Sequence, residues 1–258
     1  MIFDTHAHYD DSAFGEDRVT LIEEMQSKQV GMIVNIGASL ASNERTLELV
    51  EQYQNIYAAF GIHPNDADTL NSYHFDRIKE LCNHPKCVAV GEIGLDYYYS
   101  EPAKEIQKEW FIKQMDFARE IKKPIVIHSR DAAKDTLDMM VANQAKDLGG
   151  IMHCFSYSKE IAKTVVDMGF YIGVGGVVTF NNGKKLKEVV EYIPMEHIVL
   201  ETDCPYLSPV PYRGKRNDST LLHHVVQEIA TIKGITTEEV EDITWRNAMQ
   251  VYSMKEKI

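Results

Sequence analysis

Six residues capable of gripping a divalent cation stand at or near the ends of apolar runs in this 258-residue chain. They are His6 and His8 in IFDTHAHYD, Glu92 in VAVGEIGLD, His128 in PIVIHSRD, His153 in GGIMHCFS and Asp203 in HIVLETDCP. A single polar residue closing a strand means little. Five separate segments doing so imply several strands that direct imidazole and carboxylate donors toward one mouth. Such donors suit zinc, manganese, magnesium and similar ions without any thiolate cage. Side chains alternate along a strand, so His6 and His8 project to the same side and can share one ion. The expected centre is binuclear. His6, His8 and Asp203 hold one ion, His128 and His153 hold the second, and Glu92 bridges from the opposite wall. Two adjacent cations acidify a water between them, polarise the scissile group and stabilise the leaving oxygen. Asp203 is the expected general base, since a ligating carboxylate keeps one oxygen near that water.

The elements that must position these residues follow from hydrophobic pattern. Apolar, β-rich runs fall at 2–8, 30–37, 56–62, 87–93, 124–128, 149–154, 170–175 and 197–202. Amphipathic stretches alternate with them at 16–28, 40–54, 73–83, 102–121, 130–145, 158–168 and 183–193. Two more lie at about 218–233 and 236–253; apolar residues recur at helical spacing, as Trp110, Phe111, Met115 and Ala118 do within 102–121. Continuous apolar strands suit a parallel sheet covered on both faces. Eight strand–helix alternations predict an α/β fold of the closed (β/α)₈ type with an extra C-terminal helix, spanning 1–258 as one domain. An open doubly wound sheet lacks its Gly-rich fingerprint after the first strand. Closure also brings strand eight beside strand one, which is what lets Asp203 meet His6 and His8.

Bulk properties narrow the function. The composition is 44% hydrophobic and 26% charged, with formal net charge −12. These values suit a globular chain and oppose tight, non-specific duplex binding. No apolar run is long enough to span a bilayer. The N-terminus enters a strand at once, so no secretory leader is expected, and the cytoplasm is the expected compartment. Cys82, Cys87, Cys154 and Cys204 read as small buried side chains in a reducing environment, with Cys154 and Cys204 turned away from the neighbouring ligands.

The motifs DTHAH, GIHP (61–64), GEIGLDYY (91–98), IHSRD (127–131), MHCFS (152–156) and ETDCPYLSP (201–209) resemble the TatD family of metal-dependent hydrolases. RGKRN (213–217) and TWRNA (244–248) extend the likeness to nearly the whole chain. The D-x-H-x-H opening by itself marks only the wider amidohydrolase-like group. The resemblance implies a TIM barrel, a divalent metal centre and deoxyribonuclease or phosphodiesterase activity, often 3′-to-5′ exonucleolytic. It also implies the same ligands: His6, His8, Glu92, His128, His153 and Asp203. The chain departs from the family where an acid followed by Pro-Ala is usual after RGKRN; here stand Asp218, Ser219 and Thr220.

Around this centre, His63 and Arg130 are candidate contacts for substrate phosphate. Arg213, Lys215 and Arg216 form a basic cluster expected at the mouth, where it would steer a phosphate backbone. Tyr97, Tyr98 and Tyr99 could stack a base or pack over the rim. Trp245 and Asn247 should tie the last helix to the barrel. The partner expected is DNA or another phosphodiester, bound briefly, with no membrane and no stable protein partner. The rival readings are a carbonyl hydrolase, such as an aminoacyl-tRNA deacylase using the same activated water, and a non-catalytic barrel that binds a partner.

Overall fold

A computed structural model describes residues 1–254. Eight parallel strands pair in sequence order: β1 (Ile2–Ala7), β2 (Val30–Ile36), β3 (Ile56–Phe60), β4 (Cys87–Asp96), β5 (Ile125–Arg130), β6 (Gly150–Met152), β7 (Phe170–Val174) and β8 (Ile198–Leu200). The ring closes just past the end of β8. Ala7 bridges Cys204 in parallel, His8 N–H donates to Cys204 O at 2.9 Å, and Asp203 N–H donates to His6 O at 2.9 Å. The expected (β/α)₈ barrel is therefore the observed one.

Helices α1 (Arg18–Glu24), α2 (Leu40–Gln52), α3 (Ser72–Leu81), α4 (Lys104–Glu120), α5 (Ala133–Ala142), α6 (Lys159–Asp167), α7 (Lys184–Tyr192), α8 (Leu222–Lys233) and α9 (Thr237–Val251) surround it. Strand alternation sorts the core into two sets. Ile33, Ile56, Ile125, Ile127, Ile198 and Leu200 pack outward among the helices. Val34, Ala59, Val126, Ile151 and Val199 pack with one another and with Met249, Val251 and Tyr252 at the end of α9. The extra helix thus supplies apolar side chains to the barrel's inner set. Asn247 fixes it by donating to Met195 O and Ile198 O, both at 2.7 Å, and Trp245 packs on Phe3 with centroids 5.6 Å apart.

Boundaries differ from the sequence reading where apolar pattern and pairing diverge. The run 149–154 supplies only three paired residues and 197–202 only three, so His153 and Asp203 sit on the loops just beyond their strands. β4 runs on to Asp96 because both its faces stay buried, which leaves Glu92 inside the strand. The stretch 16–28 divides into α1 and a 3-10 turn, Met25–Lys28.

Candidate metal centre

All six proposed ligands converge at the C-terminal mouth of the barrel. His6 Nε2 and His8 Nε2 lie 3.1 Å apart, and Asp203 Oδ1 stands 3.7 Å from the first and 3.4 Å from the second. Glu92 reaches between the two groups of histidines. Its Oε2 is 3.4 Å from His6 Nε2, while its Oε1 is 2.7 Å from His128 Nδ1 and 3.1 Å from His153 Nε2. His6 and His153 stack with centroids 3.6 Å apart.

Backbone geometry explains how each donor arrives. His8 Nδ1 lies 2.9 Å from Ile36 O, a carbonyl that can only accept, so Nδ1 carries hydrogen and Nε2 faces the cavity. Asp203 adopts φ 57°, a left-handed conformation that aspartate tolerates better than most residues. Asp4, fully buried, accepts from His6 N, Thr202 N, Thr202 Oγ1 and Ser219 Oγ, and so locks the β1 end to the segment carrying Asp203. Burial pushes the Asp4 carboxyl up to about 7 against these donors.

The electrostatics are those of mutually dependent charges. Burial opposes ionising Glu92, but His153 and His6 beside it hold the carboxyl well below the usual carboxylate range. Burial likewise opposes charge on His8, yet the hydrogen bond and charge of Asp203 lift the ring to about 9. Burial drives His6 down, with His153 adding to the effect.

The arrangement fits divalent ions. His6, His8 and Asp203 offer one nitrogen or oxygen each within a common 4.8 Å, as do His63, Glu92 and His128. The Nδ1 atoms of His6 and His153 are buried with no hydrogen-bond partner. Facing imidazole nitrogens between two carboxylates form a donor set that protons satisfy poorly and an N/O-coordinated cation satisfies well.

The site carries side chains that strand-end reasoning did not select. Asp96 Oδ2 lies 3.2 Å from His128 Nε2 and Glu201 Oε1 lies 3.5 Å from His153 Nδ1. Each sits an even number of residues from a ligand on its own segment, which is the signal that could have found them. Cys154 corrects an expectation: it lines the cavity near His153 and Asp203 instead of turning away, because its φ of 44° breaks strand alternation. Cys204 is fully buried, as expected.

An open cavity of about 1260 Å³ lies over the cluster, lined in part by Arg18, Arg45, His63, Tyr99, Arg130 and Tyr206. His63 is brought to it. Its Nδ1 accepts from Asn65 N–H at 3.1 Å, and burial lowers the ring to about 3, so it is neutral with hydrogen on Nε2. Nε2 lies 3.9 Å from Glu92 Oε1. Arg130 is also brought in, its guanidinium 3.6 Å from the Tyr98 ring centroid. Tyr97 is spent on structure through a 2.8 Å bond to Asp135. Arg213 and Arg216 do not line the cavity. Arg213 covers the Phe180 ring at 3.8 Å, and Arg216 grips Asp17 through both oxygens at 2.7 and 2.6 Å.

Ser219, where the family usually has proline, is buried. It donates to Asp4 Oδ2 at 2.6 Å and lies 2.8 Å from Tyr9 Oη, while Asp218 caps the following 3-10 turn, Ser219–Leu221.

Comparison with known proteins accords with this architecture. The family model described as TatD related DNase matches residues 3–253. A metal-dependent hydrolase of Bacillus subtilis, YabD, is 44% identical over 98% of this chain and 99% of its own. YcfH of Escherichia coli, also described as a metal-dependent hydrolase, is 33% identical over 98% and 96%. The crystal structure of YjjV, a TatD homologue of E. coli, superposes with TM-score 0.93 at 26% identity, covering 98% of each chain. With a family model matched over residues 3–253 and candidate ligands gathered at the mouth of this barrel, the chain belongs to the TatD family of metal-dependent hydrolases.

Proposed function

We propose that the chain is a divalent-metal-dependent phosphodiesterase acting on DNA ends, in the manner of a 3′-to-5′ exonuclease. The observation that carries the hydrolytic reading is Glu92, whose two oxygens face different histidines, Oε2 toward His6 and Oε1 toward His128 and His153. In this reading His6, His8 and Asp203 would hold one ion and His128 and His153 another, with Glu92 available to both. When bound, such ions supply Lewis acidity toward the scissile group and the attacking water.

The protein's own residues do the rest. Asp203 is held ionised despite burial by its hydrogen bond to His8 and the nearby histidines, so it can accept the proton of the attacking water. His63, neutral, presents Nε2–H as a donor to a substrate oxygen. Glu201 and Asp96 face the far nitrogens of His153 and His128 and fix which nitrogen each ring turns inward. A phosphodiester is favoured over a carbonyl substrate by the three arginines along the cavity wall and the exposed Tyr99 beside them. The four free cysteines suit a reducing compartment, and we place the activity in the cytoplasm. Among the described residues no helix is long and apolar enough to cross a membrane.

The test is a substrate panel of 3′-labelled single-stranded DNA, an aminoacyl-tRNA and a dihydropyrimidine, each with Mg²⁺, Mn²⁺ and Zn²⁺. Wild type should release nucleotides from the DNA, and Asp203→Asn should slow this by at least about 10²-fold with an unchanged melting profile. Turnover of the tRNA ester alone would replace the phosphodiester reading with the carbonyl one.

A further inference from the structure

We propose that Arg18 and Arg45 form a phosphate subsite on the β1–β2 side of the cavity, holding a substrate phosphate other than the one that reacts. The choice of anion rests on the phosphodiester reading above. The case for an anion rests on how these two cations are held.

Arg18 opens α1 and Arg45 lies in α2, yet both reach the same backbone oxygen. Arg18 donates from its terminal nitrogen to Asp10 O at 3.4 Å and to Asp11 O at 3.0 Å. Arg45 donates through Nε to Asp10 O at 3.1 Å. Two guanidinium groups converging on one neutral carbonyl repel each other. One acid stands between the two cations. Asp10 accepts from Asn35 through Oδ1 at 3.0 Å and from Ser42 through Oδ2 at 2.7 Å, and pairs with Arg45 through Oδ2 at 3.5 Å. Among the described residues no carboxylate pairs with Arg18, and its Nε is buried without a partner.

Two other arginines are held differently. Arg77 grips both oxygens of Glu44 at 2.6 and 2.8 Å, and Arg216 does the same to Asp17. Those cations are neutralised. Arg18 is positioned by carbonyls alone and Arg45 by a carbonyl and the Asp10 carboxylate, so two guanidinium groups share a single acid, and both line the cavity. Paired guanidinium forks with one acid between them match an oxyanion with two or more acceptor oxygens.

The subsite is separate from the metal cluster. Neither arginine bonds to any of the six proposed ligands; their anchor, Asp10, follows His8 by two residues. An anion held there therefore belongs to a part of the substrate beyond the reacting centre. A nucleic acid offers such a group in the phosphate of the adjoining nucleotide. Local cations of this kind also reconcile an anionic substrate with a net charge of −12.

Calorimetric titration of the metal-loaded protein with thymidine 3′-phosphate and thymidine 3′,5′-bisphosphate tests this. Wild type should bind the bisphosphate at least about ten-fold more tightly, as expected for charge-assisted bonds to a second phosphate. Arg18→Gln and Arg45→Gln should each narrow the gap and the double variant should abolish it, leaving the monophosphate affinity unchanged. Glutamine keeps an amide donor for the Asp10 carbonyl, so the single variants stand if the double variant fails to fold. Equal wild-type affinities, or a gap that survives in the variants, would overturn the subsite. DNA hydrolysis is read separately. A gap with no release from DNA retires the phosphodiester reading and keeps the phosphate subsite, whereas release without a gap does the reverse.

Discussion

Glu201 shows how much of a metal centre lies behind its ligands. Fully buried, it accepts from Cys154 N–H at 2.6 Å and faces His153 Nδ1, while its other oxygen has no partner. Its room depends on Gly173, where a Cβ would sit 2.1 Å from Glu201 Oε2. His6, His153 and Glu201 each bring a donor atom within a common 4.8 Å, so one carboxylate backs a histidine from each proposed ion. Glu201→Gln preserves shape and removes that charge. It should weaken metal binding by about 10–100-fold, measured by titration of the metal-free protein. Unchanged affinity would reduce Glu201 to a packing residue. The six proposed ligands were legible as candidates because each stands at or near the end of an apolar run, and the structure brings them together at one mouth. Glu201 and Asp96 were legible only as acids an even number of residues from a ligand, a spacing that does not name the histidine each one faces. Arg18 and Arg45 were hidden more deeply, because they meet at Asp10 only through the packing of helices on the barrel.

The elements were legible through their apolar runs, and what escaped was where pairing stops. β6 and β8 end after three residues, and the loops that follow carry His153 and Asp203, with Cys154 and Asp203 in left-handed geometry that no alternation pattern encodes. Closure at the mouth depends instead on buried polar bonds. Asp4 on β1, Thr202 after β8 and Ser219 before α8 form one network. Ser219 stands where the family usually has proline, and its burial against Asp4 and Tyr9 assigns it to this closure. Ser219→Ala removes a donor from a buried carboxylate and should cost about 1.5–3 kcal/mol of stability by denaturant titration. Turnover at a temperature where the variant is folded should stay at the wild-type level. A stable variant with altered substrate preference would contradict this assignment.

At the scale of the whole molecule, closing the sheet sets β8 beside β1, so the proposed ligands from five segments meet over one mouth, while α9 residues pack into the inner apolar set. The chain is acidic overall, yet Arg18, Arg45 and Arg130 line the cavity. The central claim is that this mouth works only through the ions its histidines and carboxylates hold. The direct measurement strips the protein with chelator, verifies removal by elemental analysis, and follows release from 3′-labelled single-stranded DNA as Mn²⁺, Mg²⁺ or Zn²⁺ is returned. The account predicts no release from the stripped protein, and recovery that saturates as two ions bind per chain. Full release from protein shown to be free of metal would contradict it.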